Sequence, residues 1–308
     1  MVVLELLVVI LLALALDRFA PPPLRVDPLD WCRRWAQTVE QKLGGGNRGH
    51  GIGAVVLVVL PPVLLVLLLR FVLSELAPVL RFVFDVVVLS WCIDLYRLVD
   101  RAQAVFDALK AEDLPVANEH LRLLTGADAA ELNESGLARA TIAALIAKGS
   151  SAVIAPIFWF ILLGPAFAVL QRLAALLGEQ WCQPNEGGGE YGRAAGRLDQ
   201  VMAWVPVRIT AVSYAVMGNF EDALRCWRYH MRAPTDDATA PLLAAGLGAL
   251  QLLACEDLPQ TGGQGAGMAV TAAVPQADHV QRTVALLWRV LLFWLGLALL
   301  VLIGGALG

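Results

Sequence analysis

The sequence predicts an all-α protein, a polytopic transmembrane helical bundle carrying a cytoplasmic helical hairpin. Three observations predict it. Apolar residues make up 58% of the 308 and charged residues only 16%, against about 25% charged in a soluble domain. Residues 52–69, 152–170 and 290–307 contain no ionisable side chain, and each approaches the roughly 20 residues that a helix needs to cross the hydrocarbon core. Between the apolar runs the polar stretch 98–148 shows helical periodicity.

The elements follow in chain order. Residues 2–16 form a short apolar run interrupted by Glu5, and no Lys or Arg precedes it as a secretory n-region requires. A retained, tilted first helix is expected rather than a cleaved signal. Gly44-Gly45-Gly46-Asn47 cannot hold a helix and marks a hinge before the second span, residues 52–69. No strand precedes it and no Gly-Lys-Ser/Thr closes it, so it is not a phosphate-binding loop. The third span, 76–95, carries Arg81, Asp85 and Asp94, and must face protein or water on one side. Arg81 and Asp85 stand four apart, the spacing at which they share a helix face and neutralise each other. Leu98, Ala102, Val105 and Leu109 recur at helical spacing opposite Asp100, Asp107 and Lys110. Leu114-Pro115 starts a helix that ends at Gly126, and Asn133-Glu134-Ser135 caps a third, which feeds into the fourth span, 152–170. The fifth, 201–217, holds Arg208, for which no local partner is evident. A helix over 220–231 gives way to Gly-, Thr- and Pro-rich segments at 233–240 and 260–277, read as surface loop, before the sixth span. The division expected is 1–96 with three spans, 97–150 cytoplasmic helices, 151–218 two spans, 219–283 cytoplasmic helix and loop, and 284–308 the last span.

Orientation follows from Lys and Arg rather than from the net charge of −4. The basic stretches 18–48, 97–148 and 225–282 place those segments in the cytoplasm and both termini outside. The five cysteines are scattered and show no C-x-x-C pair, so neither a disulfide framework nor a zinc site is expected. His50, His120, His230 and His279 are isolated, and no nucleophile motif such as G-x-S-x-G is present. No catalytic residue, metal or cofactor is therefore assigned. The candidate site is built from polar and helix-breaking residues in or beside apolar runs, which are costly there unless a packed bundle or a wet cavity satisfies them. These are Pro156, Trp159, Arg197, Asp199, Trp204, Pro206 and Arg208, with Glu5, Arg81 and Asp85 as intramembrane charges. Asp199 can cap the fifth span or hold a ligand. The lipid bilayer is the expected partner, with a homodimer or a second membrane protein beside it. Gly164, Ala166 and Ala168 give the helix-interface signal. No nucleic-acid partner is expected.

Ala155-Pro156-Ile157-Phe158-Trp159, Arg197-Leu198-Asp199 and Trp204-Val205-Pro206-Val207-Arg208, with Asp17-Arg18 and Gly136-Leu137-Ala138-Arg139-Ala140, resemble the superfamily of the cobalamin-biosynthesis membrane proteins CobD and CbiB and the AmpE proteins associated with β-lactamase induction. The resemblance runs from the first helix to about Trp227. The cobalamin branch resembles E-N-x-x-D ahead of the Ala-Pro element and N-T-x-D after it. This chain has Ala147-Lys148-Gly149-Ser150-Ser151 and Ala174-Ala175-Leu176-Leu177-Gly178-Glu179 there. Hydroxyls replace carboxylates poorly around a hard cation. The resemblance then implies an AmpE-like regulatory or sensory protein of the bacterial inner membrane, linked to β-lactamase induction and cell-wall recycling, with a cell-wall-derived small ligand. The alternative it implies is an adenosylcobinamide-phosphate synthase-like enzyme, joining an amine to a carboxylated corrinoid with nucleotide help. A small transporter whose path is lined by Glu5, Asp85 and Arg208 is the second alternative.

Overall fold

The computed structural model describes residues 2–19, 28–43, 48–126, 132–181, 189–230, 239–252 and 274–307. All regular structure among them is helical. The glycine run 44–47 and the loop 260–273 lie outside the described residues. The chain divides into two compact units, Met1–Leu95 with Ser151–Pro206 and Ala298–Gly308, and Tyr96–Ser150 with Val207–Leu297.

The first unit contains α1 (Val2–Phe19), α2 (Pro28–Leu43), α3 (Arg48–Leu76), α4 (Pro78–Cys92) and, later in the chain, further helices on either side of Gly164. Among the described residues, three stretches are long and apolar enough to cross a membrane: Gly51–Leu76, Glu134–Leu163 and Ala277–Leu300. That is the pattern of a multi-pass membrane protein. Of the six spans expected, 52–69, 152–170 and 290–307 overlap these three stretches. α4 has only 15 residues, and the expected span 152–170 is broken in its middle.

The break has a local cause. Gly164 takes φ +90° and ψ −173°, a region that a side chain essentially forbids, and Pro165 opens the next helix. The chain ends one helix at Leu163 and starts another over Pro165–Trp181. Gly164→Ala should cost about 1–3 kcal/mol, read as a lowered midpoint of thermal unfolding in detergent. An unchanged midpoint would mean that the turn can be remade without glycine.

α3 packs on both Pro165–Trp181 and α4, and α1 packs on α4. A core of Ala36 and Val39 from α2, Val55, Val58 and Val59 from α3, and Leu173, Leu176 and Leu177 is closed by Ala195. Ala166 and Ala168 are fully buried within the chain itself. The small residues read as an interface signal are thus used in packing this unit, where they allow helices to approach closely.

The second unit begins with α5 (Leu95–Lys110), α6 (Leu114–Thr125) and α7 (Glu134–Gly149). The amphipathic pattern places Leu98, Ala102, Val105 and Leu109 in the core. Asp113 caps α6 by accepting from the Val116 N–H at 3.2 Å, and Asn133 caps α7 by accepting from the Gly136 N–H at 2.9 Å. α6 packs on α7. Beyond α7 the chain continues as the π-helical turn Ser150–Ile154, α8 (Ala155–Leu163), α9 (Pro165–Trp181), α10 (Gly189–Met217), α11 (Phe220–His230), α12 (Ala240–Ala249) and α13 (Ala277–Leu307). The sequence alone does not announce α12, because its Gly- and Ala-rich composition reads as loop. Those small residues admit close packing instead, since a Cβ on Gly248 would stand 2.9 Å from the Ala223 Cα. Tyr214 is buried and donates to the Ile146 carbonyl at 3.3 Å, while Trp294 donates to the Ser213 hydroxyl at 3.0 Å. Lys110 meets Asp278 at 2.8 Å. Cys226 is disulfide-bonded, which corrects the expectation of no disulfide. A bridge needs only two Cα atoms roughly 5.5–6 Å apart, and residues distant in sequence give no spacing signal for that. Cys32 and Cys92 are free and buried.

Candidate functional site

Two prolines organise the polar centre of the first unit. Pro156 has no N–H to give the carbonyl four residues back, that of Ala152. The Asp94 N–H donates to that carbonyl at 3.2 Å. Here the helix also widens into the π-helical turn Ser150–Ile154, a geometry that recurs at functional sites. Gln171 of α9, fully buried, donates its Nε2 to the Ser151 carbonyl at 3.1 Å. Pro206 acts in the same way inside α10. Its missing N–H frees the Met202 carbonyl, and the Trp159 indole Nε1–H donates to it at 3.0 Å. Trp159 is stacked with Phe167 at 6.2 Å between centroids and meets Phe158 edge-on at 5.3 Å.

The pairing of indole and proline is testable as a unit. Trp159→Phe keeps a ring but leaves the Met202 carbonyl unsatisfied, at a cost of about 1–3 kcal/mol. Trp159→Phe with Pro206→Ala should recover much of that, because alanine in place of the proline restores the helical N–H. A coupling of about 1 kcal/mol or more in the double-mutant cycle is expected, and strict additivity would refute the assignment.

Asp199 shares a face of α10 with Met202 and Pro206, at the i, i+3, i+7 spacing. It lies two residues ahead of the apolar stretch 201–217. The carboxylate packs against α9 where Gly178 leaves room, for a Cβ there would stand 3.3 Å from Asp199 Oδ2. No hydrogen bond or ion pair engages Asp199 among the described residues. Burial, and after it the neighbouring Glu179 charge, push its carboxyl up to about 6. Gln171 and Gly178 stand seven residues apart on α9, so the Ser151 contact and Asp199 lie along one helix face about 10 Å apart. On the same helix Arg172 reaches Asp94 at 3.3 Å, and both side chains are largely buried.

The other expected site residues are placed elsewhere. Trp204 is 55% exposed, and Arg197 is exposed on the same helix. Arg208 belongs to the second unit, whereas Asp199 belongs to the first. The expected pairing of Arg81 with Asp85 along α4 is not formed. Asp85 takes Arg70 of α3 at 3.2 Å, and Arg81 takes Glu5 of α1 at 3.4 Å. Tertiary packing offers these charges partners on facing helices in preference to the i, i+4 pair. Sequence reasoning misses Arg70, Gln171 and Arg172 because each falls just past the end of an expected span. Gly164-Pro165 is the available signal, since a break there puts residues 171–172 in the middle of a second helix.

The two places where the resemblance calls for oxygen ligands do not fit a nucleotide with a hard cation. Ala147 and Ser151 stand where the resemblance has its two acids, and the buried Ser150 between them donates to the Thr210 hydroxyl at 3.1 Å. Ala174, Ala175, Leu176 and Leu177 are all buried, and the two leucines belong to the apolar core. Among the described residues no three acids, histidines or cysteines converge on a metal position. What remains is Asp199, a partly buried carboxylate on the face of α10 that carries Met202 and Pro206, with a raised pKa that lets it exchange a proton near pH 6.

A family model described as CobD/Cbib protein matches residues 10–287. The cobalamin biosynthesis protein CobD of Stutzerimonas stutzeri is 35% identical over 308 aligned residues, covering 95% of this chain and 96% of that protein. CobD of Chromobacterium violaceum is 35% identical over 250 residues, 78% of each chain. A probable CobD of Methanothermobacter thermautotrophicus is 31% identical over 205 residues, covering 66% of this chain and 67% of that protein. No solved structure matches. These relatives bear the name CobD and not AmpE, so they lend no support to the AmpE-like branch expected from the missing acids. Similarity that extends across 95% of the sequence, through the Pro156, Trp159, Asp199 and Pro206 region, places the chain in the CobD/CbiB family.

Proposed function

We propose that this protein works in cobalamin biosynthesis at the bacterial inner membrane, as an adenosylcobinamide-phosphate synthase-like protein that brings an amine to a carboxylated corrinoid. The observation that carries this reading is the nearly end-to-end similarity to a protein named for cobalamin biosynthesis. The geometry supports a binding and proton-transfer role for Asp199. Its ionised carboxylate can hold an ammonium group, and the same oxygen can take the proton that an amine loses when its nitrogen bonds to a carboxyl carbon. The carboxyl must be activated by a co-reactant for that bond to form, and the donor set described above assigns no residue to this activation. Trp159, Pro156 and Pro206 fix the helix crossing and serve as positioning residues.

The test is growth of a bacterium lacking its own CobD on a medium that requires corrinoid made in the cell. Expression of this chain should restore growth, and supply of an amidated corrinoid should restore it in every strain. Failure of a normally inserted chain to restore growth, with the bypass intact, would remove the reading.

A further inference from the structure

Two buried polar atoms on consecutive residues of α9, Gln171 Oε1 and Arg172 Nε, find no hydrogen-bond partner among the described residues. Both side chains are committed to one place through their other atoms. Gln171 gives its Nε2 to the Ser151 carbonyl at 3.1 Å, inside the π-helical turn. Arg172 gives its Nη2 to Asp94 Oδ2 at 3.3 Å, and the Asp94 N–H holds the next carbonyl of that turn, Ala152, at 3.2 Å. We propose that an internal water molecule is bound beside the turn, accepting from the Arg172 Nε–H and donating to Gln171 Oε1.

The two orphaned atoms select the occupant. The Ser151 carbonyl fixes which end of the Gln171 amide faces the turn, because turning the amide over would set two oxygens against each other. One acceptor and one donor are then left, so the bound group must both donate and accept. It must be neutral, since Arg172 and Asp94 already offset each other's charge. It must also be small, since Gln171 is 0% exposed and the Arg172 side chain only 14%. Water meets all three conditions. Buried waters make about three hydrogen bonds to groups that the protein leaves unsatisfied. The Ser151 hydroxyl makes no hydrogen bond among the described residues, and it stands on the residue that Gln171 already holds, where it supplies the third.

The turn has a use for such a partner. A π-helical turn winds one residue wider than an α-helical one, and Pro156 has taken a donor out of the ladder just beyond it. A side chain or a water inserted into a helical ladder bends the helix at that point. Gln171 and the Asp94 N–H are inserted here from neighbouring elements, and the water joins Gln171 to Arg172. The Ser151 and Ala152 carbonyls are then held by one connected network instead of two separate contacts.

The test is X-ray radiolytic footprinting of the full-length protein in detergent, in which hydroxyl radicals form from water where it lies and mass spectrometry reads the oxidised side chains. Cys92 is the reporter. It is 3% exposed, two residues before Asp94 and within electrostatic reach of Arg172. Cys32, a second free and buried thiol, lies in the apolar core at 8% exposure and is the control. Cys92 should be oxidised faster than Cys32 although it is the less exposed of the two. A radical scavenger dissolved in the bulk should leave the Cys92 rate unchanged while it slows surface residues. Gln171→Met, which keeps the length of the side chain and removes the acceptor, should lower the Cys92 rate about fivefold, the scale of one hydrogen bond of ordinary strength. A parental Cys92 rate no higher than that of Cys32 would overturn the proposal without any variant having to fold. A Cys92 rate suppressed by the scavenger would also overturn it, because the radicals would then come from bulk water and not from a held molecule. An unchanged Cys92 rate in a folded Gln171→Met protein would overturn it as well.

Discussion

Asp199→Asn should lower corrinoid-dependent complementation by about a hundredfold or more, the usual scale for losing a proton-transfer group, and should at the same time stabilise the purified protein at pH 7.5. The two effects have one origin. The folded-state carboxyl is pushed up to about 6, from an ordinary value of 3.8, first by burial and then by Glu179. Between those two values the folded state holds more protons than the unfolded state, so stability falls as pH rises through the window and the deficit is complete above pH 6. With allowance for partial exposure, the ionised carboxylate costs about 1–2 kcal/mol. Asparagine has the same shape and no charge, so the variant should lose that deficit and unfold a few degrees higher. Activity should have the opposite pH dependence. A base or ammonium-holding group must be ionised, so turnover by the parent should decline as pH falls through 6. A variant that complements like the parent would remove Asp199 from the site. One that is inactive but no more stable would leave it only a structural cap.

The helices are legible in the sequence wherever period and caps agree. Asp113 and Gly126 bound α6, and Asn133 starts α7, as their side chains and backbone freedom dictate. The spans are less legible because apolar length does not reveal a turn within it. Residues 152–170 contain no charge, yet Gly164 and Pro165 split them into two helices. The glycine conformation depends on where α9 docks, which is a tertiary fact. The site shows the same division. Pro156, Trp159 and Pro206 stand out in the sequence as residues that need partners in an apolar setting, and the structure supplies them across helices. Which carbonyl each proline frees follows from the i−4 rule, but that Trp159 answers Pro206 follows only from packing. Charges are least predictable: the local Arg81–Asp85 spacing is available, and the fold uses Arg70 and Glu5 instead.

Arg172→Met should be the most damaging single change outside the apolar core. Arg172 and Asp94 keep only 14% and 24% of their side-chain surface exposed, so their charges are poorly screened and each offsets part of the other's desolvation. Removing the arginine deprives Asp94 of its guanidinium counter-charge, at a cost of about 3 kcal/mol, the lower part of the range for breaking a buried pair. Asp94→Asn added to Arg172→Met should recover most of it, because a neutral amide is far cheaper to bury than a carboxylate that has lost its counter-charge. The consequence extends to the site. The Asp94 N–H holds the Ala152 carbonyl that Pro156 leaves without its helical donor. Loosening residue 94 therefore exposes that carbonyl and frees the π-helical turn next to Gln171. Amide hydrogen exchange at residue 94 should accelerate in Arg172→Met and return toward the parental rate in the double variant. If Arg172→Met unfolds within about 0.5 kcal/mol of the parent, as surface substitutions do, the pair is screened by water. The polar crossing then depends on the prolines and Trp159 alone.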